Sequence, residues 1–288
     1  MGNYVPVIVI GAGRSGTNML RDMLTQLPGF GTWPCDEINY IWRHGNRAFP
    51  TDEFSVEMAR PEVVQYIRRA FDRLAARENL GHVVEKTCAN SLRVGFVHRV
   101  VPEARFIHIV RDGRDVAASA AQRWTAPLDV PYLLRKARFV PPSDLPYYGG
   151  RYLLNRVARL RSSEKKLATW GPRFERMQEV LATQELPVAC ALQWQRCVEA
   201  ADAQLAALPS EQVIQVRYES FVTDPAPELD RIVRFLEYPV TEDMVRAALA
   251  VVRVGKQKSW RNTLGEDMGA KVSVSVGATL YKFGYETD

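Results

Sequence analysis

Cysteine is scarce. The four present (Cys35, Cys88, Cys190, Cys197) lie far apart, with no CxxC pair and no Cys/His metal spacing. That excludes a disulfide framework and a zinc module, and the thiols read as reduced and mostly buried. Cys190 and Cys197, seven apart, fall on one helix face, read as a core face. Long apolar runs are missing too: no stretch approaches the roughly 20 residues that span a bilayer. The opening MGNYVPVIVIGAG has neither a basic leader nor a small-residue cleavage site. Pro6 stands where the myristoylation pattern wants Ser or Thr. A cytoplasmic protein with no membrane span is the expectation. Lys and Arg are scattered rather than gathered in runs, and nucleic-acid motifs are absent, so no nucleic-acid partner is expected. Repeats, low-complexity tracts and linkers are also absent, which leaves a single domain over residues 1–288.

What is present is the composition of an ordinary enzyme. The 288 residues are 47% hydrophobic and 25% charged, enough to bury the core of one large α/β domain. A net charge of +5 and a pI near 9.0 favour anionic ligands.

Val5 to Ile10 is a continuous β-branched run, expected of a strand buried on both faces. A glycine-rich turn follows. Then comes an amphipathic helix carrying Met19, Leu20, Met23, Leu24 and Leu27, ended by Pro28 and Gly29. Residues 29–53 read as loop, and Pro61 opens a helix to about Arg77. Further strands are predicted at His82–Glu85, Phe106–Val110 and Val213–Tyr218, with helices near 91–101, after Asp112, to about 208, at 226–236 and at 241–251. The tail from Val252 is basic at first and ends in a short apolar helix. Strands alternating with helices imply a parallel sheet with helices on both faces, a three-layer α/β fold.

Gly11-Ala12-Gly13-Arg14-Ser15-Gly16-Thr17 lies between the first strand and helix, where backbone N–H groups and the helix dipole favour an anion. The string satisfies G-x-G-x-x-G, and Asp36 or Glu37 stands near the spacing of the acid that binds a dinucleotide ribose. The approach, LPGFGTWPCDE, is broken by glycine and proline and is not strand-like. Gly11, Gly16 and Thr17 also fit a phosphate loop of the Walker type, the site of an ATP- and Mg-dependent kinase or NTPase. The lysine expected between Gly16 and Thr17 is missing. In its place a cation stands ahead, in Arg14-Ser15-Gly16-Thr17. A ligand-free glycine turn accounts poorly for an arginine and two hydroxyls at a helix start.

A second strand-to-helix junction, Ile109-Val110-Arg111-Asp112-Gly113-Arg114-Asp115, carries Arg111 at the strand end. Asp112 caps the helix there and Asp115 supports it three residues on. Ser119 and Arg123 are i,i+4 neighbours on one face. Arg111, Ser119 and Arg123 make a suitable clamp for a phosphate monoester, since guanidinium gives directed, charge-assisted hydrogen bonds. An Arg–Asp surface network is the plainer alternative.

Taken together, the two junctions resemble the 5′-phosphosulfate loop and the 3′-phosphate motif of the sulfotransferases that use 3′-phosphoadenosine 5′-phosphosulfate (PAPS). The tyrosylprotein and carbohydrate branches are nearest in spacing. The resemblance implies a P-loop-type fold, PAPS as donor, PAP as product and no metal requirement. It implies that Arg14, Ser15, Gly16, Thr17 and Asn18 hold the 5′ end, and Arg111, Ser119 and Arg123 the 3′-phosphate. Glu37, or else Asp36, matches the catalytic base, although the Gly-Glu-Glu triplet of the family is lacking and an acidic helix cap is the plainer reading. Lys86, in Glu85-Lys86-Thr87, matches the lysine facing the sulfuryl group, and Arg14 with Lys86 would stabilise the transition state. Tyr218 would approach the donor. The stretch Lys256, Lys258, Ser259, Trp260, Arg261 would close over the nucleotide, and Lys282-Phe283-Gly284-Tyr285 matches a packing element at the end. An aromatic should stack on adenine, with Trp33, Trp42 and Trp124 all open. His82, His98 and His108 read as structural; His44 is an alternative base. Segments 29–60 and 124–150 should shape the acceptor site. Their aromatic and basic residues favour a hydroxyl, or an amine, on a glycan or small molecule, with a protein tyrosine as the alternative.

Overall fold

A computed structural model describes residues 2–125, 139–147, 170–253 and 259–286. Five parallel strands form its sheet: β1 (Val5–Ile10), β2 (Phe30–Gly31), β3 (His82–Lys86), β4 (Arg105–Val110) and β5 (Val213–Arg217), in the order β2-β3-β1-β4-β5. The central strand, β1, has only buried residues after Val5, as its unbroken β-branched run requires.

Alternation along β1 divides the interior in two. Ile8 and Ile10 point into one core. Its helical side comes from α3 (Pro61–Glu78), through Val63, Ile67 and Phe71, and from α4 (Val94–Val100), through Phe96 and Val97. Val7 and Val9 point the other way, into Leu20, Met23 and Leu24 of α1 (Thr17–Leu24) and Leu229, Ile232 and Val233 of α9 (Pro225–Phe235). The result is the three-layer α/β arrangement, with each fully buried Ile or Phe contributing roughly 1.5–3 kcal/mol. A third cluster gathers α5 (Gly113–Thr125), α7 (Leu186–Leu205), α11 (Trp260–Ser275) and α12 (Gly277–Lys282) beyond the end of β4. Cys190 and Cys197 both belong to it, on one face of α7, and all four cysteines are free thiols.

Several elements differ from the sequence expectation. The loop after Pro28 contains β2, a two-residue edge strand, and α2 (Asn39–Trp42), both too short for any period to show. The expected helix at 91–101 is a 3₁₀ turn, Cys88–Leu92, followed by α4. The last strand stops at Arg217, and Tyr218 instead opens α8 (Tyr218–Thr223). The tail carries a long helix, α11, bent at Gly265, rather than only a short one. Among the described residues the remaining α-helices are α6 (Met177–Thr183) and α10 (Glu242–Leu249). Among the described residues no helix is long and apolar enough to cross a membrane.

Candidate active site

Strand register brings the singled-out residues to one edge. Val9 lies beside Lys86, Ile10 beside His108, and Val110 beside Arg217. The carboxyl ends therefore release the Gly11 loop, Lys86, Arg111 and Tyr218 side by side, where open α/β sheets bind ligands.

The first loop turns sharply. Arg14 (φ 73°) and Gly16 (φ 89°) both adopt left-handed backbone, and Gly16 caps α1. A Cβ on Gly16 would come within 2.5 Å of the Tyr218 ring, so only glycine fits there. Ser15 is fully buried, and its Oγ has no hydrogen-bond partner among the described residues.

The second junction closes on the first. Asp112 accepts from Arg114 N at 2.9 Å, the expected cap. Asp115 does not complete a capping box. Its Oδ1 instead accepts from Ser259 Oγ (3.1 Å) and Trp260 N (2.9 Å), so it caps α11, a partner 145 residues away that no local pattern announces. Arg111 donates to the carbonyl of Arg14 at 3.0 Å, its guanidinium 4.3 Å from the Tyr218 ring centroid. Trp194, unmarked in the sequence, donates from Nε1 to Arg111 O at 3.1 Å and packs where a Gly113 Cβ would stand. Arg14 Nε donates to Ser119 Oγ at 2.9 Å.

The electrostatics follow. Burial lowers the Arg14 pKa below the usual guanidinium range, and Arg111 and Arg123 push in the same direction. Arg123 itself is exposed. Arg14, with Arg111 and Arg123 close enough to act on it and with the buried Ser15 Oγ and Arg111 Nε lacking partners among the described residues, fits an anionic ligand.

Across the loop stands an acid–base pair. Lys86 Nζ is 3.3 Å from Glu37 Oε1, with side-chain exposures of 3% and 25%. Burial alone would depress the lysine, but Glu37, with Cys88 and Asp36, holds its pKa above the ordinary value. Cys88 N also donates to Glu37 Oε1 (3.3 Å), and the Cys88 thiol lies 3.8 Å from Thr17 Oγ1. Asp36 turns elsewhere, accepting from Asn18 Nδ2 (3.2 Å) and lying 3.5 Å from Arg21. Geometry thus separates the two acids that sequence left open: Glu37 faces Lys86, and Asp36 faces α1.

Other expectations sort themselves by burial. Trp33 and Trp42 pack edge-on against Phe71 in the core, so neither reaches a ligand. Trp124 is also buried. Trp170, which carries no sequence signal, approaches the loop, its ring 3.3 Å from where a Gly13 Cβ would sit. His82 stacks on Phe30, His98 meets Gln212 Oε1 at 3.2 Å, and burial holds His108 down at about 4, all structural settings. His44 Nδ1 is 2.9 Å from the buried Asp144, which Arg47 also engages. Tyr285 packs in the third cluster and donates to Glu219 at 3.0 Å. Lys256, Lys258 and most of 124–150 lie outside the described residues. Among the described residues no three His, Cys, Asp or Glu side chains group as a metal site.

Solved structures share this fold at low identity. The sulfotransferase domain from the curacin biosynthetic pathway is 13% identical, with 98% of each chain covered and a TM-score of 0.56. Sulfotransferase STF9 from Mycobacterium avium is 14% identical over 99% of this chain and 78% of its own, at 0.57. Mouse sulfotransferase SULT7A1, complexed with PAP, is 12% identical over 96% and 85%, at 0.50. No curated protein matches significantly by sequence. The family model described as "Sulfotransferase family" matches residues 6–139 and 155–243, spanning both strand-to-helix junctions, the Lys86 strand and Tyr218. With most of its length matched, the chain belongs to the sulfotransferase family.

Proposed function

We propose that this protein, as one domain, transfers the sulfuryl group of PAPS to a hydroxyl or amine of an acceptor. The observation that carries the reading is the Arg14–Ser119 hydrogen bond, which makes one cationic site of two junctions 105 residues apart. A 3′-phosphorylated nucleotide phosphosulfate presents two anionic ends to such a site. PAP bound to the mouse relative of similar fold supports the same donor.

PAPS supplies an electrophilic sulfur, whose bond to the 5′-phosphate oxygen breaks as the acceptor oxygen bonds to it, leaving PAP. Arg111, Ser119 and Arg123 hold the 3′-phosphate in this reading. Gly16, Thr17 and Asn18 present the N–H groups of the α1 start to the 5′ end, with Tyr218 beneath them, while Ser15, whose own N–H donates to Ala12 O at 3.1 Å, offers its hydroxyl. Lys256 and Lys258 are proposed to add charge from the tail. Glu37 takes the acceptor proton, and Lys86 with Arg14 stabilises charge on the transferring group and leaving oxygen. No step calls on a metal.

The acceptor is proposed to be a glycan or another hydroxyl-bearing small molecule. Support is narrower than the composition suggested, because Trp33 and Trp42 lie in the core and Arg43 is buried against Asp52. Basic and aromatic groups at Arg47, Tyr40 and Tyr147 remain on that side. Four free thiols favour a reducing, cytoplasmic setting.

The test is calorimetry with PAP and with ATP·Mg, followed by transfer from labelled PAPS to carbohydrates, small phenols and alcohols, and tyrosine peptides. Tighter PAP binding and labelled product are expected. Preference for ATP·Mg would overturn the reading, and label on the peptides alone would replace the glycan or small-molecule acceptor with a protein.

A further inference from the structure

Three successive residues at the exit of β3 hold two successive positions of the acceptor-side loop, Glu37 and Ile38. Lys86 Nζ and Cys88 N both reach Glu37 Oε1, each at 3.3 Å. Between them, Thr87 Oγ1 accepts from Ile38 N at 3.2 Å. The Thr87 hydroxyl has one hydrogen, and it is donated to Glu85 Oε1 at 2.5 Å. Its lone pairs are therefore turned toward the Ile38 amide.

Glu85 is fixed in turn. Its Oε2 accepts from Asn90 Nδ2 at 2.9 Å, and Asn90 Oδ1 accepts from Arg93 Nε at 2.8 Å. Arg93 Nη2 then donates to Asn39 Oδ1 at 2.6 Å, returning the chain of bonds to the residue after Ile38. Glu85, Thr87, Asn90 and Arg93 are all essentially inaccessible to solvent. Burying such a network costs desolvation that apolar residues of similar volume avoid, so stability alone accounts poorly for it. What it does secure is one loop segment: Ile38 is tied through its backbone N–H, and Glu37 and Asn39 through their side-chain oxygens.

We propose that Thr87 is a positioning residue for the Glu37 carboxylate, holding the backbone at Ile38 so that the carboxylate meets Lys86. This rests on Glu37 being the base. Glu85 aims the Thr87 hydroxyl, and Asn90 and Arg93 keep Glu85 in place. A small displacement of a reacting group lowers turnover without weakening binding of the donor.

The experiment compares Thr87→Val, which keeps the shape and removes the hydroxyl, with Thr87→Ser, which restores it, and Glu37→Gln. Expected for Thr87→Val is a kcat lower by roughly ten- to a hundredfold, with the Kd for PAP within about twofold of wild type. Thr87→Ser should recover kcat to within about threefold, and amide exchange at Ile38 should quicken in the Val variant alone. Wild-type kcat in Thr87→Val, or equal losses in Val and Ser, would overturn the proposal while an inactive Glu37→Gln left the base assignment standing. An active Glu37→Gln would instead overturn the base assignment, and this proposal with it. Should Thr87→Val fail to fold, exchange in the wild-type protein decides: an Ile38 amide as fast as in an unstructured chain rules the anchor out.

Discussion

Arg14 Nε lies 2.9 Å from Ser119 Oγ, and Arg111 donates to the Arg14 carbonyl at 3.0 Å. The arginine of the first junction thus touches both sides of the second. A ligand that binds one junction is met by groups fixed by the other.

Arg14→Ala and Ser119→Ala should therefore couple. Each substitution is expected to weaken PAP binding by about tenfold, the scale of one charge-assisted hydrogen bond. The double variant should lose less than the sum, with a coupling of roughly 0.5–3 kcal/mol in a calorimetric cycle. Strict additivity would show that the two junctions act on the ligand independently.

Glu37→Gln is expected to lower kcat by roughly 10²–10⁴-fold while PAP affinity changes little, as loss of a general base predicts. Lys86→Met should lower kcat as well, since it removes the partner of Glu37 Oε1 and the cation proposed to stabilise the transferring group. Single-turnover rates at saturating donor read both. A Glu37→Gln rate near wild type would transfer the role of base elsewhere, with His44 the first group to examine.

Gly16→Ala tests the loop backbone. The residue combines φ 89° with a neighbour 2.5 Å from the new methyl, whereas Gly265, at φ 74°, has open space around it. Gly265→Ala, forced into φ 74° and ψ 175°, should cost on the order of 1–3 kcal/mol of conformational strain. Gly16→Ala should cost more and abolish PAP binding, and Tyr218→Ala should relieve only the steric part. Thermal unfolding with and without PAP distinguishes the two sites. A Gly16→Ala protein that binds PAP normally would contradict the close packing against Tyr218.

Glu85 gives a pH signature. Burial lifts its carboxyl to about 7 from an ordinary 4.5, the Thr87 hydrogen bond opposing the rise. The folded state keeps a proton that the unfolded chain releases first. The associated stability is fully present below the ordinary value and is lost as pH climbs through 7. At 1.36 kcal/mol per unit, the loss is on the order of 3 kcal/mol. Urea unfolding from about pH 5 to 8 should show a shallower decline for Glu85→Gln than for wild type. Parallel slopes would mean that Glu85 titrates alike in both states.

Both strand-to-helix junctions were legible because each is a local pattern: an apolar strand, a turn with its cation, and a helix start. Covalent neighbours set the direction of the loop N–H groups, whereas the reach of the guanidinium groups depends on packing. The division of β1 into two buried faces was legible for the same reason, since alternation is a property of the strand itself. Asp115 shows the limit. Its position in the first turn of α5 promised a helix support, yet the stronger claim on it comes from Ser259 and Trp260, which only the folded chain brings near.

By itself, then, the sequence determined the parallel α/β architecture, the two strand-to-helix junctions with their cations, and the presence of Lys86 and an acid near Glu37, all features carried within a few residues. Tertiary structure alone decided that Glu37 rather than Asp36 faces Lys86, that Arg14 reaches Ser119, and that Trp33 and Trp42 are core. It decided, too, that Thr87 anchors Ile38. Each of these depends on strand register and on which helix face is buried, and those are settled by packing among segments distant in the chain.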